Sequence, residues 1–358
     1  MRDRSRGAWR APIIGIALLF AVAACSSGTG SSTPSATMAG SAPAGSTAAT
    51  ASAAPAPASL KVGISDAIFA FSPLYIAKEK GYWKDENLDV ELSFFNSGTE
   101  SQQAMLSDAI DIGGGGYTEP VTLSAQNTPT VIFGATQSGL PYQLMTQKDI
   151  TDVSQLPGKT LGVSKVGSLS DQITHIILNK VGVDASKVKI QQAGGASARL
   201  AALQAGAIDG AILSSPANAL AIKAGFNKLV DASTLLPGFA YEVVYAKKSF
   251  IEANQDVMVR FMKGLIRAAQ FVTDPANKDE ALQITANTNN EKIEDLQLAY
   301  DDTIKDFPKT SAADLAGIAE ALDGTKQFGG LDGADKLKAE DLFYPDLQKQ
   351  AAKELGLE

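Results

Sequence analysis

A strand–loop–helix pattern occurs twice in this chain, with its landmarks offset by 98 to 101 residues. In the first copy Leu60, Val62 and Ile64 alternate with polar or small residues, a strand pattern, and run into a loop over 66–71. Ser72 can cap the helix that follows, and Pro73 suits its first turn, where a missing N–H costs nothing. Gly81 can close it in a left-handed conformation. Gly63 is matched by Gly162, Gly81 by Gly182, Thr99 by Ser197, Ala104 by Ala202, and Ile110-Asp111 by Ile208-Asp209. Alanine- and glycine-rich helices repeat such residues cheaply, yet so many landmarks in one order predict two successive β/α lobes. In each, strand ends would face helix N-termini, the place where open α/β sheets hold ligands.

The first 24 residues read as an export signal. Arg2, Arg4, Arg6 and Arg10 precede an uncharged run from Ala11 to Ala24 that is too short to span a bilayer and ends in Val-Ala-Ala before Cys25. The stretch is similar to a bacterial lipobox, which implies a lipid on Cys25; an ordinary signal with an incidental cysteine is the alternative. Residues 26–59 are almost wholly Ser, Thr, Gly, Ala and Pro, without charge or aromatic side chain. Such a segment cannot bury enough apolar surface to offset its ordering entropy, so 25–59 is expected to be a flexible tether with a reach on the order of 30 Å.

Composition excludes several chemistries. Cys25 is the only cysteine, so the folded part can hold neither a disulfide nor a thiolate metal cluster. His175, the only histidine, falls at the edge of the apolar face of a helix expected over 171–181 and reads as structural; alone it makes neither a transition-metal site nor, without a Gly-x-Ser-x-Gly elbow, a hydrolase triad. The chain therefore reads as a non-enzyme with no metal or cofactor. Its net charge is −8, and the balance without the signal is more negative still, so neither nucleic acid nor an anionic bilayer surface is an expected partner.

Candidate ligand-binding residues lie at the strand ends and crossings. Phe69 and Phe71 in the first loop, with Tyr117, could form apolar walls or stack on a flat heterocycle, and could equally be core. Ser97 and Gly98 precede a helix that Thr99 and Gln102 could open as a capping box. Strand Ile110–Gly113 would lead into a loop of glycines, with Gly115, Tyr117 and Thr118 near a ligand; the spacing is not that of a nucleotide loop. Gly167, Ser168 and Ser170 open another helix and could offer bare N–H groups and hydroxyls to a carboxylate, sulfonate or nitrate, or Ser168 and Ser170 could simply cap it. Gln137 and Glu242 sit at crossings expected around 137–142 and 237–242 to form a hinge. Arg199 could clamp an anion or make an ordinary ion pair. No arginine falls in the expected loop tips, which argues against a strongly charged ligand.

From Phe71 through Tyr82-Trp83, then Leu88-Asp-Val-Glu-Leu92, Asp108-Ala-Ile-Asp-Ile-Gly113, and Leu203-Gln-Ala-Gly-Ala-Ile-Asp-Gly210 with Pro216, the chain resembles the ABC-transporter solute-binding proteins of the nitrate, sulfonate, taurine and thiamine-pyrimidine group. The resemblance covers roughly 60–345 and implies a two-lobed α/β fold of the type II periplasmic-binding-protein kind. Residues 60–140 plus 241–358 would form lobe I and 141–240 lobe II, joined by a two-strand hinge. It places Ser214 and Ser215 on a loop facing the cleft. It implies a monomer that captures a small solute outside the cytoplasm and delivers it to a permease and its ATPase, with a sulfonate-like organic anion narrowly favoured. A thiamine-pyrimidine precursor is the alternative solute, a sensor lipoprotein the alternative role. A pyrimidine-making enzyme would need a His- and Cys-rich site that this chain lacks.

Overall fold

The computed structural model describes residues 55–236, 239–326 and 331–357. The expected signal, Cys25, most of the tether and Pro237 lie outside the described residues. Ten strands follow in chain order: β1 (Ala58–Ile64), β2 (Leu88–Phe94), β3 (Ile112–Gly116), β4 (Thr130–Ser138), β5 (Gln143–Thr146), β6 (Thr160–Val163), β7 (Lys189–Gln192), β8 (Gly210–Leu213), β9 (Asn227–Asp231) and β10 (Ala240–Lys247). They form two sheets, ordered β2-β1-β3-β10-β4 and β7-β6-β8-β5-β9. In each, the first three strands are parallel and the fourth antiparallel to both neighbours. The antiparallel strand comes from the far side of a crossing, β5 after residues 139–142 and β10 after β9, so the two lobes are laced together by the chain itself.

The internal repeat is physical as well as textual. Asp111 Oδ2 accepts the backbone N–H of Lys61 at 2.8 Å, and Asp209 Oδ2 accepts that of Thr160 at 2.8 Å. Ile110 Cδ1 lies over Gly63 and Ile208 Cδ1 over Gly162, each 2.6 Å from where a Cβ would stand. Thus the Ile-Asp pair before the third strand of each sheet fixes the first strand twice, by packing and by a charge-assisted bond.

The helices are α1 (Ser72–Glu79), α2 (Gly98–Leu106), α3 (Thr118–Ala125), α4 (Leu169–Lys180), α5 (Ala196–Gln204), α6 (Ala217–Lys223), α7 (Ala232–Leu235), α8 (Lys248–Ala253), α9 (Gln255–Thr273), α10 (Lys278–Asn289), α11 (Ile293–Thr303), α12 (Leu315–Gly324), α13 (Ala339–Leu342) and α14 (Asp346–Glu354). After Ser249 apolar residues recur at spacings of three and four, which predicts the helices found as α9 to α12; α9 and α12 touch the first sheet, α10 packs on α1, and α11 lies on α10 and also meets α6 of the second lobe. Trp83 anchors α9: it stacks on Phe261 at 5.0 Å and donates Nε1–H to the Phe261 carbonyl at 2.9 Å. The C-terminal docking is settled by the Tyr344 N–H bonded to the Ile132 carbonyl, with α14 lying on α9.

Several local expectations fail for identifiable reasons. The glycine run is strand, not loop: Gly113 to Gly116 lie inside β3 because Tyr245, Leu74 and Leu169 crowd the places where their Cβ atoms would stand. Thr99 does not cap α2. Ser97, in extended backbone, accepts the Glu100 N–H at 3.3 Å, while Glu100 reaches back to the Asn96 N–H. Ser72 lies within the first turn of α1, its hydroxyl buried, and Phe71 takes the cap position. The tether yields to strand sooner than expected, since Ala58 and Ser59 already pair with Leu88 and Asp89.

Candidate solute-binding site

The C-terminal ends of β1, β3 and β6 converge with the first turns of α2, α3, α4 and α5 on one buried cavity between the lobes, about 20 Å³ in volume. The first lobe contributes Ser65, Asp66, Ile68, Gly98, Gly116, Glu119 and Glu242; the second contributes Tyr142, Ser164, Ser168, Leu169, Ser170 and Arg199. Connectivity explains the convergence, because a strand entering a helix leaves its tip at the sheet's carboxyl edge.

The acidic groups are held by different means. Asp66, just beyond β1, accepts the backbone N–H of Ala196 at the start of α5, so one lobe caps a helix of the other. Gly195 is required there: a Cβ would stand 2.8 Å from Asp66 Oδ1. Burial raises the Asp66 carboxyl above its usual range, opposed by the charge of Arg199. Arg199 is 1 % exposed, and its guanidinium donates Nε–H to the Ile212 carbonyl at 3.0 Å and Nη1–H to that of Gly194 at 2.9 Å. Glu119, in the first turn of α3, accepts the Thr118 hydroxyl at 3.1 Å; burial lifts its carboxyl to about 7 against these bonds. Gly98 and Gly115 admit that carboxylate, for a Cβ at either would press on it. Glu242 on β10 is pushed well above the carboxylate range, first by burial and then by the neighbouring Glu119 and Asp66. Opposite them Ser164, Ser168 and Ser170 share hydroxyl contacts of 2.7 to 3.1 Å.

Of the residues singled out in the sequence, Gly98, Ser168, Ser170, Arg199 and Glu242 line this cavity. Phe69 packs instead between Tyr300 and Phe307 in the first lobe, and Phe71 is wholly buried beside Gly114. Tyr117 stands edge-on to Phe239 and donates its hydroxyl to the Ala321 carbonyl at 2.9 Å. The apolar wall is made by Ile68, Leu169 and Tyr142. Gly167 does not present a bare N–H, because Asp171 Oδ2 accepts it at 2.8 Å. The same Asp171 lies 3.5 Å from His175 and raises its pKa, giving that histidine a structural role. Ser97 and Thr118 support the site from behind, Gly115 backs Glu119, and Gln137 is buried across the ladder from Glu242. Ser214 accepts the Asn218 N–H through its carbonyl, and Ser215 donates to Asp302 Oδ2 at 3.2 Å, away from the cavity. Asp66, Glu119 and Ser164 escape a sequence reading focused on glycines and aromatics. Their one signal is position: each stands within three residues of a strand end.

Two α/β lobes laced by crossed strands and closed on a small polar cavity define a two-lobed fold of the periplasmic-binding-protein type. The chain belongs to the NMT1/THI5-like family, which matches residues 68–278. It is 28 % identical over 254 residues to YtlA of Bacillus subtilis (strain 168), named as a binding protein, with 69 % of this chain and 72 % of that one covered. The alkanesulfonate-binding protein SsuA of Xanthomonas axonopodis pv. citri superposes with a TM-score of 0.68 at 17 % identity, covering 82 % of this chain and all of the other. The periplasmic nitrate-binding protein NrtA of Synechocystis PCC 6803 does so with a TM-score of 0.68 at 16 % identity, covering 85 % and 91 %.

Proposed function

We propose that this protein is the extracytoplasmic solute-binding component of an ABC importer, holding a small polar molecule between its lobes and passing it to a permease served by an ATPase. The observation that carries this reading is that both lobes supply buried polar groups to one cavity. A solute entering there is enclosed by rotation about the crossings at 139–142 and between β9 and β10, and the closed pair of lobes forms the surface a permease reads. In this reading 60–140 with 241–358 and 141–240 move as the two bodies. A lipid on Cys25 and the Ser/Ala/Pro tether keep the monomer within reach of its partner, and the cavity binds without transforming. A sulfonate-like anion and a heterocycle stay within this reading, but not through the groups the sequence suggested: the N–H groups of Gly167 and Ala196 are already taken by carboxylates, and Phe69 and Phe71 are packed in the core.

The reading is tested by small-angle scattering of the protein against a broad solute panel. Compaction with one tight-binding solute supports it, and a radius of gyration unmoved by every tight binder rejects it. Uptake of that solute into vesicles carrying the permease and ATPase, lost when the binding protein is omitted, tests delivery.

A further inference from the structure

Resting on the binding reading above, we infer that the solute carries a primary ammonium group, held between Glu242 and Glu119 with the serine hydroxyls of the second lobe completing its hydrogen bonds. Three carboxylates, Asp66, Glu119 and Glu242, line the cavity against one guanidinium. Arg199 is committed: two of its N–H groups serve carbonyls, and its charge acts on Asp66. No lysine lines the cavity, and Lys165, the lysine next to it in sequence, pairs with Glu100 at 3.5 Å.

Glu242 supplies the second, independent observation. Its side chain is 3 % exposed and lines the cavity, and its Oε2 meets no donor in hydrogen-bond geometry, the neighbouring Tyr241 hydroxyl being the one side-chain donor that acts on the carboxyl. Gln137, across the ladder, has an equally unserved Nε2, so the two do not satisfy one another. A buried carboxylate oxygen without a donor costs roughly 1–3 kcal/mol or more, and persists where a ligand supplies the donor.

Size and chemistry narrow the class. With the lobes closed, the cavity of about 20 Å³ takes a group near the size of one water-sized probe, such as –NH3⁺, the rest of the solute being admitted as the lobes rotate apart. Ser164, Ser168 and Ser170 can accept from such a group, as can the carboxylates. Among the described residues no cluster of three or more His, Cys, Asp or Glu is placed to hold a metal ion, so an organic cation that donates hydrogen bonds is the better fit.

The groups facing Glu119 and Glu242 are Asp66, Arg199 and the phenols of Tyr75, Tyr117, Tyr142, Tyr241 and Tyr245, all five with pKa values raised by burial. Protons therefore compete with an ammonium for the two glutamates, and affinity should rise with pH through about 7, where Glu119 ionises.

The test uses isothermal titration of the full-length protein with two size-matched pairs, methylammonium against methanesulfonate and ethanolammonium against isethionate. Binding of an ammonium probe, strengthening between pH 6 and 8 and weakened at least tenfold in Glu242→Gln or Glu119→Gln, is the expected result. Glutamine keeps the shape, and a melting scan of each variant guards against misfolding. Silence from both ammonium probes overturns the inference, as does an ammonium affinity unchanged in both variants. Binding of the sulfonates alone also overturns it, but leaves the solute-binding reading standing, since that reading falls only with the scattering experiment.

Discussion

Asp66, at the tip of β1 in the first lobe, accepts the backbone N–H of Ala196, the first residue of α5 in the second. The bond joins the lobes at the cavity wall and puts a carboxylate on the positive end of a helix dipole. Gly195 makes the approach possible, so Gly195→Ala should force Asp66 away by several tenths of an ångström. The expected outcome is a more open protein in scattering and a solute affinity reduced about tenfold, with a melting temperature close to the parent's because neither core is touched. A radius of gyration and affinity unchanged in the variant would show the latch to be idle.

Outside the cavity, Lys165 Nζ lies 3.5 Å from Glu100 Oε1, and the Thr99 hydroxyl donates to the Val166 carbonyl at 3.1 Å across the same gap. Both members of the ion pair keep about a third of their side-chain surface in water. Such pairs contribute only about 0.2–1 kcal/mol and weaken in salt. Lys165→Met should therefore shift the open–closed balance by no more than about fivefold, an effect that disappears in 0.5 M salt; a larger, salt-insensitive shift would contradict a screened pair.

Stability without solute should fall as pH rises from about 4.5 toward 7. Burial raises the folded Glu119 carboxyl to about 7, so in that window the folded state holds a proton that the unfolded state has lost. Stability rises with pH only where the unfolded state binds more protons, and here the reverse holds. The Glu119 contribution amounts to about 3 kcal/mol at most, an order-of-magnitude figure. Denaturant titrations of the parent and of Glu119→Gln at pH 5 and pH 7.5 check it: the variant should lose less stability over the interval, and parallel curves would reject the assignment.

Trp83 offers a test of the first lobe. The indole lies directly on Gly264 of α9, which has no room for a methyl, and its Nε1–H is spent on the Phe261 carbonyl. Gly264→Ala should cost about 1–3 kcal/mol through overpacking, although alanine is the better helix former. An unchanged denaturation midpoint would mean the indole moves freely.

The duplicated glycines give a matched pair. A Cβ at Gly63 would stand 2.6 Å from Ile110 and 2.8 Å from the Phe95 ring, whereas one at Gly162 would meet only Ile208 at comparably short range. Because a ring edge yields less readily than the end of an isoleucine, Gly63→Ala should destabilise more than Gly162→Ala, by about 1 kcal/mol, measured by urea unfolding.

Much of this was written locally. The offset landmarks Gly63/Gly162 and Ile110-Asp111/Ile208-Asp209 identified two β/α lobes because glycine, isoleucine and aspartate each do one steric or hydrogen-bonding job that recurs wherever that corner is built. The apolar spacing after Ser249 marked α9 to α12 for the same reason: a helix face declares its burial within a few turns. The glycine run at 113–116 misled, since the residues that exclude its side chains, Tyr245, Leu74 and Leu169, come from remote parts of the chain.

What the linear chain determined by itself was therefore the pair of lobes and the late helices, consequences of short-range periodicity and turn chemistry, and, through the resemblance of its motifs, the family. What only the tertiary structure decided was the character of the cavity. Asp66, Glu119, Arg199 and Glu242 lie as much as 176 residues apart, and although Glu242 and Arg199 stand out in the sequence, nothing local joins the four. They meet only because crossed strands bring four strand and helix ends together, and burial, which no single residue carries in its own neighbourhood, then turns ordinary carboxylates into raised and partly unsatisfied ones.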